Sequence, residues 1–493
     1  MSKAISSLVS LVFLAAVVAG CGGGMSSPNL PPASSNMVQA SLTIHDNPPM
    51  GVTVLSFEIE VMGATLQPSG SGSQPVPMFS EPEDIELEHL QTQSALLASR
   101  SVPTGTYNGL MVSFANPHIT IQNQTGTMLT LGSQSCSDKQ VCEFDPKLNQ
   151  SSVTVQAPTQ PFPLTLSMNS PVVLKMDFNV DASIQGDLSI TPTINLVQLP
   201  PPSSSEDEED VEVVGKITSI DQTGHTFIVQ TGMSGPSFTF ATDGNTQFDF
   251  GTSCSTANFS CLQTGQTVEV EAKMQLDGSL LASEVKFFQP PNEMSFSGTV
   301  TTASSGMGSF QIVLFDEESF SGEMASFSMG IPLTISLATN ATFSIDTGSF
   351  MLPSGLSFAS AGDLMVGQKV RLHPTGAPTG MPPNVTVPVD QVQLEPSEVT
   401  ATITAINTGG NPQTFTLSTL PSFFQKAGIM SIQVDVLSNT QFETEEDQMV
   451  SGLSSFKTGD TVSVRGLLFN TMTTPTMVAE KVVKRSSSTG TSD

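Results

Sequence analysis

Three sets of residues have the types and spacing to do chemistry. Asp177 and Asp181 lie an even number of positions apart, so on a strand both carboxylates share one face, as an acid–base pair or metal ligands would. The alternation of that stretch gives a structural role instead, with Met176, Phe178 and Val180 packed inward and both aspartates in solvent. Asp243, Asn245, Gln247 and Asp249 stand at alternate positions, like the oxygen ligands of a calcium loop. Yet Asn245-Thr246-Gln247-Phe248 recurs later in the chain with different carboxylates around it, which favours a turn feeding a strand. His45-Asp46 is either half of a catalytic dyad or, as the following Asn47-Pro48-Pro49 favours, a polar strand end entering a turn.

The five cysteines divide by position into Cys21, the pair Cys136 and Cys142, and the pair Cys254 and Cys261. In an oxidising compartment each close pair is expected to form a local disulfide. Metal binding is the rival, but neither pair has Cys-x-x-Cys spacing and no histidine lies close by. The sequence has no Gly-x-Ser-x-Gly elbow, no His-Glu-x-x-His and no phosphate-cradling glycine loop. Its five histidines (His45, His89, His118, His225 and His373) are scattered. Tyr107 is the single tyrosine and tryptophan is absent, which weakens any site that would stack aromatic faces on sugar rings. The structural expectation for Tyr107 is a ring on the core with its hydroxyl bonded to backbone.

The net charge is −29, from 16 Lys and Arg against 45 Asp and Glu, and no basic stripe interrupts it. Such a chain repels phosphate backbones, so nucleic acid is not an expected partner. No cofactor is expected either. The first residues carry a different signal. Lys3 precedes an apolar run from Leu8 to Val18, and Val18-Ala19-Gly20-Cys21 closes it with small residues before a thiol. A short apolar core followed by small residues suits a signal peptidase. The stretch resembles the lipobox of bacterial lipoproteins. The resemblance implies cleavage after residue 20, fatty acylation of Cys21, palmitate among the chains, and a cell-envelope location; Gly22 favours the outer membrane. An uncleaved anchor over residues 4–20 is the alternative, at the short limit for a spanning helix.

What must position these residues is almost entirely strand. Residues 21–37 are rich in Gly, Ser, Pro and Asn and read as a flexible stalk. Short alternating segments follow, such as Val52 to Val61, Tyr107 to Phe114 and Val172 to Val180, punctuated by Gly, Pro and Asn. They predict a β-sandwich over 38–199, with one helix or helical turn between Ile85 and Ser99. Pro200 to Asp210 reads as a linker, stiff with proline and extended by its acidic run.

Thereafter one pattern occurs three times. It opens at Gly215-Lys216-Ile217, Gly298-Thr299-Val300 and Ala401-Thr402-Ile403, and each copy ends in a strand at Val285, Val392 or Val482. Five short strands per copy predict three small β-barrels, at 211–290, 293–395 and 397–485, before a disordered tail at 486–493. Alternation turns Val268 and Val270 inward and Glu269 outward.

Ile85-Glu86-Leu87, Val102-Pro103-Thr104-Gly105-Thr106-Tyr107 and Leu174-Lys175-Met176-Asp177-Phe178 make the first domain resemble domain of unknown function 4382, found in bacterial lipoproteins. The sandwich type is Ig-like or transthyretin-like. The Cys136–Cys142 insertion departs from that pattern. The later copies resemble domain of unknown function 5666, a small barrel found in tandem in exported bacterial proteins. These resemblances imply architecture and export, not an activity. The expectation is a non-enzymatic, lipid-anchored envelope protein. Its membrane contact is the N-terminal lipid, and its partner is an envelope protein or polymer. A module binding calcium or carbohydrate is the alternative, and an envelope enzyme the second alternative.

Overall fold

The computed structural model describes residues 37–485 apart from 47–53, 71, 132–133, 169, 200–209, 232–234, 251–253, 255, 276, 288–294, 304–307, 316–328, 348–351, 382–383, 446–447 and 472–473. The leader, Cys21, the stalk, most of the linker and the tail therefore lie outside the described residues. Among those described, no helix is long and apolar enough to cross a membrane.

The chain is nearly all β. In the first domain, Met37–Asp46 runs parallel to Val172–Phe178 and antiparallel to Ser94–Pro103, and Ile194–Gln198 extends that sheet. A second sheet is built on the long antiparallel pair Val54–Pro68 and Gly105–Gln122. Both sheets feed one core. Phe178 of the first meets Phe57 and Phe114 of the second at ring-centroid distances of 5.5 and 5.7 Å. Burial of such rings between two sheets is the main stabilising contribution here.

Of the helix or helical turn expected between Ile85 and Ser99, the structure keeps only the turn. Only Leu87–His89 turns, as a single 3-10 turn, while Glu83–Glu86 and Ser94–Pro103 are strands. The loosely spaced leucines suggested a helical face. As a strand, Ser94–Pro103 buries Leu97 and Ala98 in the sandwich core and Leu96 in the core of the first barrel.

Each repeat forms a closed five-stranded barrel. In the third, Ser397–Asn407, Gln413–Ser418, Ile432–Thr444, Thr476–Lys484 and Thr461–Phe469 pair in that order and return to the start. The second repeats this with Phe296–Ala303, Ser309–Leu314, Pro332–Ile345, Val385–Glu395 and Lys369–Pro374. The long third strand of each skips register once against its parallel partner, at Leu337/Thr342 and at Val436/Gln441. In the first barrel the corresponding stretch is two strands, Ser237–Ala241 and Gln247–Asp249, both parallel to Leu280–Phe287. Closure leaves no free edge, which a small barrel requires. Val268 and Val270 are fully buried inside, as alternation predicts.

The barrels are not beads on a string. A short run of the sandwich, from His89 to Ala95, meets all three. His89 stacks on Phe315 of the second barrel, with centroids 3.7 Å apart. Gln91 N and Thr92 Oγ1 donate to Glu398 of the third at 3.0 and 2.5 Å. Ser94 and Ala95 pair in parallel with Val211 and Glu212 of the first, making one continuous sheet across two domains. Elsewhere Thr120 Oγ1 donates to the Gly330 carbonyl at 2.6 Å, so the second barrel covers the outer face of the second sheet. This is why alternation fails over Val54 to Ile59, where Ser56 and Glu58 are buried with the apolar residues.

Candidate functional site

Most sequence-marked residues take structural roles. Cys136 and Cys142 form a disulfide with Cα atoms 5.9 Å apart, and Cys254 pairs with Cys261. The Tyr107 hydroxyl donates to the Pro103 carbonyl at 2.8 Å, with the ring buried. The Asp243 Oδ1 accepts from the amides of Asn245 and Thr246 at 2.8 and 3.2 Å, and Thr246 Oγ1 donates to the Ala282 carbonyl at 2.8 Å. That is a turn pinned to the last strand of its barrel. Thr440 repeats the bond to Ala479 in the third copy. Among the described residues no group of three or more His, Cys, Asp or Glu is placed to hold a metal ion.

His45-Asp46 end their strand as expected, the Asn47-Pro48-Pro49 turn lying outside the described residues, whereas Asp177 departs from the expectation. The strand ends at Phe178, so Asp181 falls in the turn Val180–Ser183 and is exposed, while Asp177 is buried. His45 and Asp46 are buried too, Asp46 completely. The outer face of this sheet is a seam against the third barrel. Asp46 N donates to the Leu90 carbonyl at 3.1 Å, and the Asp46 carbonyl accepts from Arg485 Nη2 at 3.2 Å. Arg485 also bonds the Gln91 carbonyl and Ser463 Oγ, and lies 3.6 Å from the Glu445 carboxylate. Lys175 reaches the Glu445 carbonyl at 3.4 Å.

Neither carboxylate oxygen of Asp46 has a hydrogen-bond partner, nor does the buried Oε1 of Glu88. Burial first, and the neighbouring Glu88 second, push the Asp46 carboxyl well above its ordinary range. Burial and then Glu86 do the same to Glu88. Burial raises Asp177 as well, against a hydrogen bond from Asn195 Nδ2 at 3.2 Å. His45 is held well below its ordinary value by burial and by Lys175 and Arg485. The seam thus gathers buried groups whose proton binding is shifted, and among the described residues no nucleophile is aligned there on a base.

Two further sites lie elsewhere. Between the first and third barrels, Arg465 bridges Glu271 at 3.2 Å and Glu480 at 3.0 Å, beside a polar cavity of about 170 Å³ that Gln247 and Gln441 also line. The two glutamines occupy the same position of the recurring Asn-Thr-Gln-Phe element. Next to them Lys286 contacts Glu284, Glu271 and Glu269 at 3.1, 3.6 and 3.8 Å. On the sandwich, Glu58, Glu60, Asp84, His118 and Asp145 line an open cleft of about 540 Å³. There His118 Nδ1 lies 2.7 Å from Asp145 Oδ1, and Asn116 Nδ2 donates to Glu60 at 2.7 Å.

Sequence reading missed Arg485, Glu88 and Arg465. Arg485 stands at the end of the last repeat, where the sequence marks only a boundary.

The matches to known families cover the sandwich and the first and third barrels. A search of curated proteins returns no match. Residues 38–196 match the family model described as Domain of unknown function (DUF4382), and residues 214–286 and 400–482 each match Domain of unknown function (DUF5666). The chain therefore carries a DUF4382 domain followed by repeated DUF5666 domains, in the order that its sequence motifs announce.

Proposed function

We propose that this is a non-enzymatic cell-envelope protein, held by fatty acylation of Cys21, which carries one joined block of β domains as a binding or structural element. The observation that carries the reading is the run His89 to Ala95, which ties three barrels to one sandwich. Such joining suits a body that must keep its surfaces in fixed relation beyond a tether. Residues 22–36 would let it stand as much as ~50 Å from the lipid at about 3.3 Å per extended residue. Two or more acyl chains hold a protein stably, where one holds it only marginally.

Metabolic labelling with a palmitate analogue tests the anchor. The wild type is expected to incorporate label and to sediment with envelope membranes, and Cys21→Ser to do neither. A label-free wild type would end the reading. Capture from envelope extract would then name the partner.

A second reading, a ligand-binding module, is favoured by the acidic cleft lined by Glu60, Asp84 and Asp145. Calorimetry of the full chain with calcium and with soluble glycans tests it, and silence in both removes it.

A further inference from the structure

We propose that the seat of the third barrel on the sandwich is a proton-operated latch, closed while Asp46 and Glu88 carry protons and loosened when they ionise. The argument starts from satisfaction of polar groups. Asp46 is 0% exposed, and both of its carboxylate oxygens lack a hydrogen bond. A buried, unpaired carboxylate costs several kcal/mol, so the group takes a proton or the structure around it opens to water. Arg485 does not resolve this. Its hydrogen bonds go to the carbonyls of Asp46 and Gln91 and to the Ser463 hydroxyl.

The charges facing Asp46 are unbalanced from every side. Its own strand supplies His45, which burial keeps neutral. The neighbouring strand supplies Lys175 and Asp177, and the turn before Leu90 supplies Glu86 and Glu88. The third barrel supplies Arg485 and Glu445. Among the described residues, five carboxyl groups therefore share the seam with Lys175 and Arg485. Protons on Asp46 and Glu88 remove the charge of a carboxylate with no hydrogen bond and of one whose Oε1 has none, and a neutral carboxylic acid can also donate.

The sign follows from linkage. Both groups sit above their ordinary range when the seam is closed and return to it when water enters. Closure is therefore fully favoured at acid pH, and is lost as pH rises through the closed-state values. Barrel and sandwich each have their own core, while the seam between them is polar, so the seam can open with both cores kept.

Hydrogen exchange on the full chain, corrected for intrinsic rates and read at pH 5 and pH 8, tests the latch. In the wild type, the peptide covering 89–93, whose Gln91 amide donates to Glu398 across the seam, is expected to lose about tenfold in protection at pH 8, while peptides covering 333–345 keep theirs. Asp46→Asn, which copies the protonated form, is expected to hold seam protection at both pH values. Glu88→Gln is the second variant should Asp46→Asn fail to fold, and is expected to behave likewise. Equal seam protection in the wild type at both pH values overturns the proposal. So does a uniform loss across all peptides, or variants that follow the wild-type profile.

Discussion

Arg485 Nη2 donates to the backbone carbonyl of Asp46 at 3.2 Å, across a sequence separation of 439 residues. The bond ties the end of the last barrel to the first strand of the sandwich, and turns a linear array into a closed assembly. With 6% of its surface exposed, Arg485 is a buried cation whose partners are fixed.

Replacing it with a side chain of similar length but no charge should release the third barrel. Arg485→Met is expected to cost about 3 kcal/mol, because the two carbonyls and the Glu445 carboxylate lose their donor in a buried place. Urea unfolding of wild type and variant measures it. A loss below about 0.5 kcal/mol would mean that the seam contributes little to cohesion.

The junction beside Lys286 predicts a pH dependence of its own. Burial, working against the pull of Lys286, pushes Glu284 up to about 7 from an ordinary 4.5, while Glu269 is held at about 2 by Lys286 and the cations around it. Lys286 is itself held firmly protonated by the same carboxylates. One ammonium is shared among three carboxylates, and although Glu284 is the nearest at 3.1 Å, its burial outweighs that pull. A carboxyl raised in the folded state contributes stability below its unfolded value and loses it as pH rises through about 7. Stability should therefore fall by an amount on the order of 2 kcal/mol between pH 5 and 8, and Glu284→Gln should flatten part of that slope. Glu212, also raised to about 7 by burial and then Glu269, keeps the remainder. Identical slopes in wild type and variant would refute the assignment.

Tyr107→Phe removes one hydrogen bond, the 2.8 Å contact to Pro103, and keeps the ring. The expected loss is about 1 kcal/mol, read by thermal or urea unfolding. A neutral result would leave the ring as the whole contribution of this residue.

Replacing both Cys136 and Cys142 by alanine frees a short loop whose ends lie 5.9 Å apart at Cα. About 2 kcal/mol should be lost, near the low end for a disulfide because the loop is short. Unfolding with and without reductant should show the same loss for the wild type under reduction. A wild type insensitive to reductant would mean that the loop is held by its other contacts, such as the Asn123 bonds to Thr127 and Cys136.

The three recurring openings at Gly215, Gly298 and Ala401, the closing strands at Val285, Val392 and Val482, and the alternation around Val268 determine three barrels from sequence alone. Period-two burial and turn residues are local properties, written in consecutive positions. The same holds for the two disulfides and for Tyr107, whose partners lie within a few residues. Asp177, His45 and Asp46 show where that reading ends. Alternation tells which face of a strand a residue occupies, but not whether that face meets water or another domain. The stretch between Ile85 and Ser99, where only a turn is helical, has the same cause: Leu87, Leu90 and Leu97 enter the sandwich core while Leu96 enters that of the first barrel. Only the folded chain places Arg485 against Asp46 and His89 to Ala95 among three barrels, because those contacts depend on how closed units stack over hundreds of residues. No local pattern encodes that distance, so the charges that meet at the seams were decided by tertiary structure.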